Sequence, residues 1–99
     1  MKTLGQCNIN GWDCTLVAWQ YSNGRLAIAA IAADTGELVL KISVNVTAIP
    51  DIGPDEFVVN HDLTDLGWEK GVFATGLFDV SRHVDYGFVA GQPVWRVRS

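Results

Sequence analysis

Two Asn-Gly pairs in the first quarter of the chain constrain its fold more than any other feature. Asn10-Gly11 and Asn23-Gly24 each lie between stretches that alternate apolar and polar residues. An Asn-Gly pair favours a two-residue hairpin turn, because both central residues of a type I′ turn need a positive φ. Asp34-Thr35-Gly36 predicts a third, three-residue loop with Gly36 in the left-handed conformation. Together these turns predict four antiparallel strands, over residues 2–9, 12–21, 25–33 and 37–46.

The predicted turns also fix which residues lie opposite each other in the sheet. A two-residue second loop sets Tyr21 opposite Leu26, and a three-residue third loop sets Ala30 opposite Leu40. The predicted core face then holds Leu4, Val17, Trp19, Tyr21, Leu26, Ile28, Ala30, Leu38, Leu40, Ile42, Val44 and Val46. The opposite face is rich in alanine and holds Trp12, Cys14, Leu16, Ala18, Ala27, Ala29, Ile31, Val39, Lys41, Ser43 and Asn45. Small residues on that face would let a covering segment or a partner come close.

The second half of the chain predicts loops, short strands and one helix. Residues 48–55 form a loop punctuated by two prolines and a glycine, and residues 56–60 are extended. Thr64 or Asp65 caps a short helix that runs to about residue 75, with Gly76 as the residue after it. Gly71 weakens this helix.

The remaining sequence to the C-terminus predicts extended structure. Residues 77–80, a stretch that ends at 86–89, and residues 93–97 are the expected strands, with Pro93 permitted only at a strand start or on an edge. The predicted fold class is α+β: a twisted antiparallel sheet of four to five strands with one short helix packed on it. Residues 1–99 are predicted to form a single domain.

Composition excludes several classes of protein. With 48% hydrophobic and 18% charged residues, the chain has the composition of an ordinary globular domain rather than of a disordered one. No apolar run approaches the roughly 20 residues of a membrane helix, and residues 1–6 hold no apolar signal-peptide region. The net charge of −4 argues against a surface that binds nucleic-acid phosphates. These observations predict a cytoplasmic protein with no membrane or direct nucleic-acid partner.

The two cysteines flank the first Asn-Gly turn. A two-residue loop pairs Cys7 with Cys14 directly across the strands, with Cα atoms about 5.5 Å apart, within reach of a disulfide. The pair is either a redox-labile cross-strand bond or two reduced thiols. Because disulfides are rare in the cytosol, the reduced thiols are favoured.

Few residues suggest catalysis or a metal site. His61-Asp62 and His83-Val84-Asp85 contain metal-ligand residue types, but their spacing fits no metal motif, so surface histidines are favoured over a small metal-dependent enzyme. Nucleophile, phosphate-loop and zinc-protease motifs are also missing from the sequence. We therefore expect no enzyme, no cofactor and no metal.

Charge is distributed unevenly along the chain. Residues 42–81 hold seven acids and one base, a net charge of −6, whereas the other 59 residues hold four acids and six bases, a net charge of +2. This acidity is either an ordinary solvated surface or a patch that docks on a basic partner, where carboxylates can occupy phosphate sites. The candidate partner-binding residues are Asp51, Asp55, Glu56, Asp62, Asp65 and Glu69.

Several stretches of the sequence resemble one family of small bacterial domains, of the kind carried by phages and mobile elements. The most specific are Tyr21-Ser22-Asn23-Gly24-Arg25-Leu26-Ala27-Ile28 and Val44-Asn45-Val46, followed by Gly87-Phe88-Val89. The resemblance covers most of the chain but is weakest in the central segment, which includes residues 62–69. It implies a fold and no established activity.

Small acidic phage-borne proteins of this size include anti-CRISPR proteins, and the chain looks like one of those. The resemblance implies an inhibitor that binds a subunit of a type I CRISPR–Cas surveillance complex (Cascade) as an acidic DNA mimic, in the host cytoplasm. The alternative is a non-enzymatic accessory protein of a mobile element that binds another host protein through exposed aromatic side chains. A monomer or weak dimer is expected in either case.

Overall fold

The strands of the protein form two antiparallel four-stranded sheets. The computed structural model describes residues 1–60 and 68–98. Sheet one contains β1 (Lys2–Ile9), β2 (Trp12–Gln20), β3 (Leu26–Ala32) and β4 (Leu38–Lys41), in that order. Sheet two contains β5 (Ser43–Val44), β6 (Glu56–Val59), β7 (Phe78–Tyr86) and β8 (Val89–Val97), in the order β5-β6-β8-β7. A short helix, α1 (Trp68–Phe73), lies between β6 and β7 in sequence.

This architecture confirms part of the predicted fold class and corrects the rest. Within the described residues, the strands are antiparallel and there is one short helix, as predicted. However, 57% of these residues are in strands and 7% are in the helix, so the fold is mostly β rather than α+β, and its strands form two sheets rather than one.

The first hairpin has the predicted turn and register. Asn10 and Gly11 have φ values of 51° and 88°, as a type I′ turn requires. The pairing of Ile9 with Trp12 and of Cys7 with Cys14 is confirmed.

The second hairpin has a different loop from the predicted one, and its register is shifted by one residue. The Tyr21 N–H donates to the Arg25 carbonyl at 2.8 Å, which closes a three-residue loop over residues 22–24. Only Gly24 has a positive φ, 85°, and the Asn23 side chain accepts a hydrogen bond from the Arg25 N–H at 3.1 Å. A three-residue loop of this kind needs a single left-handed residue near its end, which Gly24 supplies.

The shifted register reverses the faces of β2. Leu16 now pairs with Ala30 and Ala18 with Ile28, so the even-numbered residues of β2 enter the core. The prediction that Val17, Trp19 and Tyr21 belong to the core face is wrong, as is the assignment of Cys14, Leu16 and Ala18 to the opposite face. A one-residue slip moves every side chain of a strand to the other face, since the side-chain period is two.

The third loop gives the predicted pairing of Ala30 with Leu40, followed by an irregularity. A register shift between Ala30 and Ile31 sets Leu38 opposite Ile31 rather than Ala32. Leu38 is consequently 56% exposed, and its predicted place in the core is wrong.

The strand predicted over residues 37–46 breaks at Ile42, where the chain crosses between the sheets. The Ile42 N–H donates to the Ile28 carbonyl of β3 at 3.0 Å, whereas its carbonyl accepts from the Asn60 N–H at 2.8 Å. The next residue completes the crossing with its side chain, because the Ser43 hydroxyl accepts from the Ile28 N–H at 2.9 Å. A buried backbone donor of β3 is thus satisfied although the neighbouring strand has left the sheet.

The main core lies between the two sheets. Its buried members are Ile9, Cys14, Leu16, Ala18, Ile28, Ala30, Leu40, Ile42, Phe57, Val59, Trp68, Val72, Phe78 and Trp95. Trp95 is at the centre of its aromatic part: the Phe73 ring lies edge-on at 4.7 Å between centroids, and the Phe78 ring is stacked at 5.9 Å. One continuous cluster therefore joins sheet one, sheet two and α1.

A second core covers the other face of sheet two. Ile49 from the segment that links β5 to β6 packs on Val58 and Val94, together with Val44 and Val46. The Arg25 guanidinium donates to the Val46 and Ile49 carbonyls and so ties the linking segment back to sheet one. Val44 and Val46 thus pack in this second core rather than in the core of sheet one.

The helix ends at Phe73, slightly before the predicted end, and its glycine has a packing role. The predicted caps Thr64 and Asp65 lie outside the described residues, whereas Gly76 has the expected left-handed φ of 72°. A Cβ on Gly71 would lie 2.3 Å from the Asn8 carbonyl oxygen of β1. The residue that weakens the helix in sequence terms therefore lets α1 approach sheet one.

Pro93 lies inside β8 rather than at its start, which corrects the predicted strand boundary. The pairing of β8 with β6 covers only residues 94–96, so on that side Pro93 lies beyond the paired stretch. Its missing N–H is tolerated there as it is on an edge strand.

Candidate functional site

The six predicted partner-binding carboxylates have different surroundings. Asp62 and Asp65 fall outside the described residues. Asp51 and Asp55 are exposed, and Glu56 and Glu69 are half-buried. Among these four, Asp51 and Glu56 converge on one guanidinium.

Arg82 of β7 binds both Asp51 and Glu56. Its Nη1 lies 3.0 Å from Asp51 Oδ2, its Nη2 donates to the Asp51 carbonyl at 2.7 Å, and Nη2 lies 3.8 Å from Glu56 Oε1. Glu56 also accepts hydrogen bonds from the Ser81 hydroxyl and, at 2.9 Å, from the Gly53 N–H. We call these contacts of Arg82, Asp51, Glu56 and Ser81 the Arg82 clamp.

The Arg82 clamp lowers the pKa values of both its carboxyl groups. Hydrogen bonding from Arg82, followed by its positive charge, lowers the pKa of Asp51. Hydrogen bonding from Ser81 lowers the pKa of Glu56 despite partial burial. Both groups are therefore ionised at neutral pH and neutralised locally, and they hold the segment before β6 on sheet two.

Of three other carboxylates, one forms an ion pair within the described residues and two do not. Asp79 lies 2.6 Å from the Arg98 guanidinium, and the hydrogen bond from Arg98 lowers the pKa of Asp79. Asp55 and Glu69 form no ion pair with any residue that the structure describes. The carboxylates that remain available to a partner are fewer than the sequence suggests.

The cysteines lie across the first hairpin as free thiols. Burial, followed by the charge of the neighbouring Cys14, raises the pKa of Cys7 to about 11. The Cys14 thiol is fully buried and donates to the Trp12 carbonyl at 3.5 Å. The nucleophilic thiolate is therefore scarce at neutral pH.

The structure describes one of the two histidines considered as metal ligands. His83 is exposed on β7 opposite Pro93, and His61 lies outside the described residues. Within residues 1–60 and 68–98, no group of three or more His, Cys, Asp or Glu side chains is arranged to hold a metal ion. No helix in the same ranges has the length and apolar character needed to cross a membrane.

The sequence predicts the exposed apolar side chains only in part, because it places Trp12 and Val39 away from the core face but Leu38 on it. Trp12 is 64% exposed at the first hairpin, and Phe88 is fully exposed at the turn between β7 and β8. Leu38 and Val39 are exposed on β4. The alternating pattern predicted Leu38 to be buried, and only the register shift in β3–β4 reveals its position.

Two concavities lie next to sheet one. The first, of about 160 Å³, is lined by Ile9, Asn10, Trp12, Val39, Leu40 and Trp68. The second, of about 300 Å³, lies where the chain crosses between the sheets and is lined by Trp19, Tyr21, Ile28, Lys41, Ser43, Val44, Asn45 and Asn60. In the second, polar groups bind one another: the Tyr21 and Ser43 hydroxyls are 2.8 Å apart, and Asn60 Nδ2 donates to the Lys41 carbonyl.

Comparisons with protein-family models, with curated proteins and with solved structures gave no match for this chain. The resemblance to a phage-borne family therefore stays a prediction.

Proposed function

We propose that this protein is a non-enzymatic inhibitor that binds a type I CRISPR–Cas surveillance complex and excludes its target DNA. The observation that carries the proposal is a surplus of uncompensated carboxylates. The net charge is −4, and Asp13, Asp34, Glu37 and Asp55 are exposed with no ion pair to the part of the chain that the structure describes.

The physical basis of the proposal is competition for a basic groove. A surveillance complex must present cationic side chains to the phosphates of its target, and exposed carboxylates can take the same positions. Long-range attraction between opposite fields also speeds encounter. We expect the protein to act in the host cytoplasm as a monomer or weak dimer.

The test is displacement of labelled target DNA from a purified type I surveillance complex. The wild-type protein should reduce the DNA-bound fraction, and the effect should weaken with added salt, because exposed charges are screened over about 10 Å at 0.1 M ionic strength. Replacement of Asp62, Asp65 and Glu69 by Lys should slow association more than it speeds dissociation.

A neutral triple variant is the matched control. Asp62→Asn, Asp65→Asn and Glu69→Gln keep the shapes of the side chains and should give an association rate between those of the wild type and the Lys variant. If the wild type leaves DNA binding unchanged at low salt, the proposed inhibition is wrong. If the Lys variant inhibits as fast as the wild type, DNA mimicry by this segment is wrong.

A second candidate function is that of an accessory protein of a mobile element that binds another host protein through an exposed aromatic side chain. The exposure of Trp12 favours it, because tryptophans are enriched among the residues that contribute most to protein interfaces. Binding to a host protein other than the surveillance complex that persists at high salt and is lost on Trp12→Ser would support this second candidate.

A further inference from the structure

The first hairpin and the loop between β3 and β4 meet at one end of sheet one. The Ala33 N–H donates to the Asp13 carbonyl at 3.0 Å, which joins the two loops. Beside this junction is the concavity of about 160 Å³. Its floor is formed by the buried side chains of Ile9, Leu40 and Trp68.

The exposed walls of this concavity are apolar apart from Asn10. Trp12 is 64% exposed and Val39 38% exposed. Leu38, next to Val39 on β4, is also exposed. An exposed aromatic wall over a buried apolar floor is the arrangement in which an interface buries one large apolar side chain.

The two loops that meet beside the concavity carry exposed acids. Asp13 follows Trp12, and Asp34 and Glu37 belong to the loop that ends at Leu38; all three are exposed. None of the three forms an ion pair within residues 1–60 and 68–98, and Asp13 accepts one hydrogen bond, from Asn8 Nδ2 at 3.2 Å. The base on β4, Lys41, lines the separate concavity of about 300 Å³. These two loops therefore favour cationic neighbours over anionic ones.

We propose that this end of sheet one docks on a basic protein surface and takes one of its apolar side chains into the concavity. We call it the Trp12 surface and define it by Trp12, Asp13, Asp34, Glu37, Leu38 and Val39. The inference rests on the proposed function in one respect only: the proposed function supplies a partner with a basic surface. It also moves the main contact away from the Arg82 clamp, whose carboxylates are already neutralised.

A partner-independent experiment tests the surface itself. Acetylated Lys-Leu-Lys amide is titrated at millimolar concentration while the backbone amides and the Trp12 indole N–H are followed by NMR. We expect shifts confined to residues 9–14 and 37–40, with acetylated Asp-Leu-Asp amide giving none. Equal shifts with both peptides, or shifts centred on Phe88, would overturn the proposal.

Matched variants separate docking from folding. Trp12→Ser should weaken Lys-Leu-Lys binding about tenfold or more, and Phe88→Ser, which removes an even more exposed aromatic from a hairpin turn of the other sheet, should leave it unchanged. Trp12→Phe keeps an aromatic wall and should lose less than Trp12→Ser. Asp13→Asn with Glu37→Gln should reduce the salt dependence of binding.

The same variants, assayed against the surveillance complex, distinguish the two ideas. If the wild type displaces DNA and Trp12→Ser does so equally well, the Trp12 surface is wrong and the inhibitory function stands. If the wild type displaces no DNA but the peptide binds at the Trp12 surface, the docking surface stands and the inhibitory function is wrong. Loss of displacement on Trp12→Ser but not on Phe88→Ser supports both.

Discussion

Sheet one and sheet two use the same kinds of strand but cover their faces differently. Sheet one packs one face on the main core, and its other face carries Trp19 and Lys41 toward solvent. Sheet two is covered on both faces, by sheet one and by the segment around Ile49. Sheet one is a succession of short hairpins, whereas sheet two pairs β6 with β8 across more than 30 residues of chain.

The difference shows how each sheet acquires its order. In sheet one, turns of two or three residues hold neighbouring strands in register. In sheet two, a short turn joins β7 to β8 in the same way, but long-range contacts hold β6 and the segment before it: Arg82 binds Asp51, and Gln92 Nε2 donates to the Val59 carbonyl at 2.7 Å. A sheet built from local turns can leave an end open, and that is where the Trp12 surface lies.

The largest effect is expected from Trp95→Ala. Trp95 is 3% exposed in a central strand of sheet two, and its ring contacts Phe57, Phe73 and Phe78. Truncation of a buried tryptophan should lower the free energy of unfolding by about 3–5 kcal/mol. Chemical denaturation gives the magnitude. Because one core joins the sheets, amide-exchange protection should fall in both; protection lost from sheet two alone would show that the sheets are independent.

Leu40→Ala should have the next largest effect. Leu40 brings β4, the edge of sheet one, into the main core, so its truncation should cost about 2–5 kcal/mol. A thermal melting curve provides the measurement, with Val39→Ala as the control because Val39 is exposed on the same strand. A Leu40→Ala midpoint within a degree or two of the wild type would contradict the assigned register.

Ser43→Ala tests the crossing between the sheets. Removal of the hydroxyl leaves the buried Ile28 N–H without its acceptor, which should cost about 1–3 kcal/mol. Tyr21→Phe removes only the Tyr21 hydroxyl, which lies 2.8 Å from the Ser43 hydroxyl, and should lower the stability less. If urea denaturation ranks the two variants in the opposite order, the Ser43 hydroxyl is not what completes the hydrogen bonding of β3.

The smallest effect is expected from acidification, and the carboxyl groups that cause it belong to sheet two and the segment before β6. The pKa values of Asp51, Glu56 and Asp79 are lowered in the folded protein, so these groups stabilise it above their unfolded pKa values of about 4. That contribution is lost as pH falls through the lowered folded values.

Melting temperatures measured between pH 7 and pH 3 should therefore fall on the acid side. Glu56→Gln should reduce the fall, whereas Asp34→Asn, at an exposed position of sheet one, should leave it unchanged. A fall of the same size in Glu56→Gln would mean that the Arg82 clamp contributes nothing to acid stability.

The two hairpins that share an Asn-Gly pair show which features of the fold the sequence predicts and which it does not. The first Asn-Gly pair gave the correct two-residue turn and the pairing of Cys7 with Cys14. The second closes a three-residue loop because Asn23 serves as a hydrogen-bond acceptor and only Gly24 becomes left-handed. Both loops are compatible with the dipeptide, and the choice between them depends on which face of β2 the main core buries.

The candidate site also has features that the sequence shows and features that only the folded structure shows. The excess of acids in residues 42–81 is visible in sequence, but the partner of Asp51 is Arg82, which lies just outside that range and 31 residues away. Trp12 and Leu38 are 26 positions apart in the chain, and only the shared end of sheet one brings their loops together. Neither the neutralised carboxylates nor the Trp12 surface could be identified before the sheets were placed.

By itself, the sequence determined the antiparallel strands of the first 41 residues, the type I′ turn at Asn10-Gly11, the loop over residues 48–55 and the left-handed Gly76. Each depends on the conformational preferences of neighbouring residues, which act over a few positions. The tertiary structure decided the register of β2, the break at Ile42 and the pairing of carboxylates with arginines. These depend on which apolar faces meet and on which distant groups satisfy buried or charged atoms, and such choices are made only when the two sheets pack.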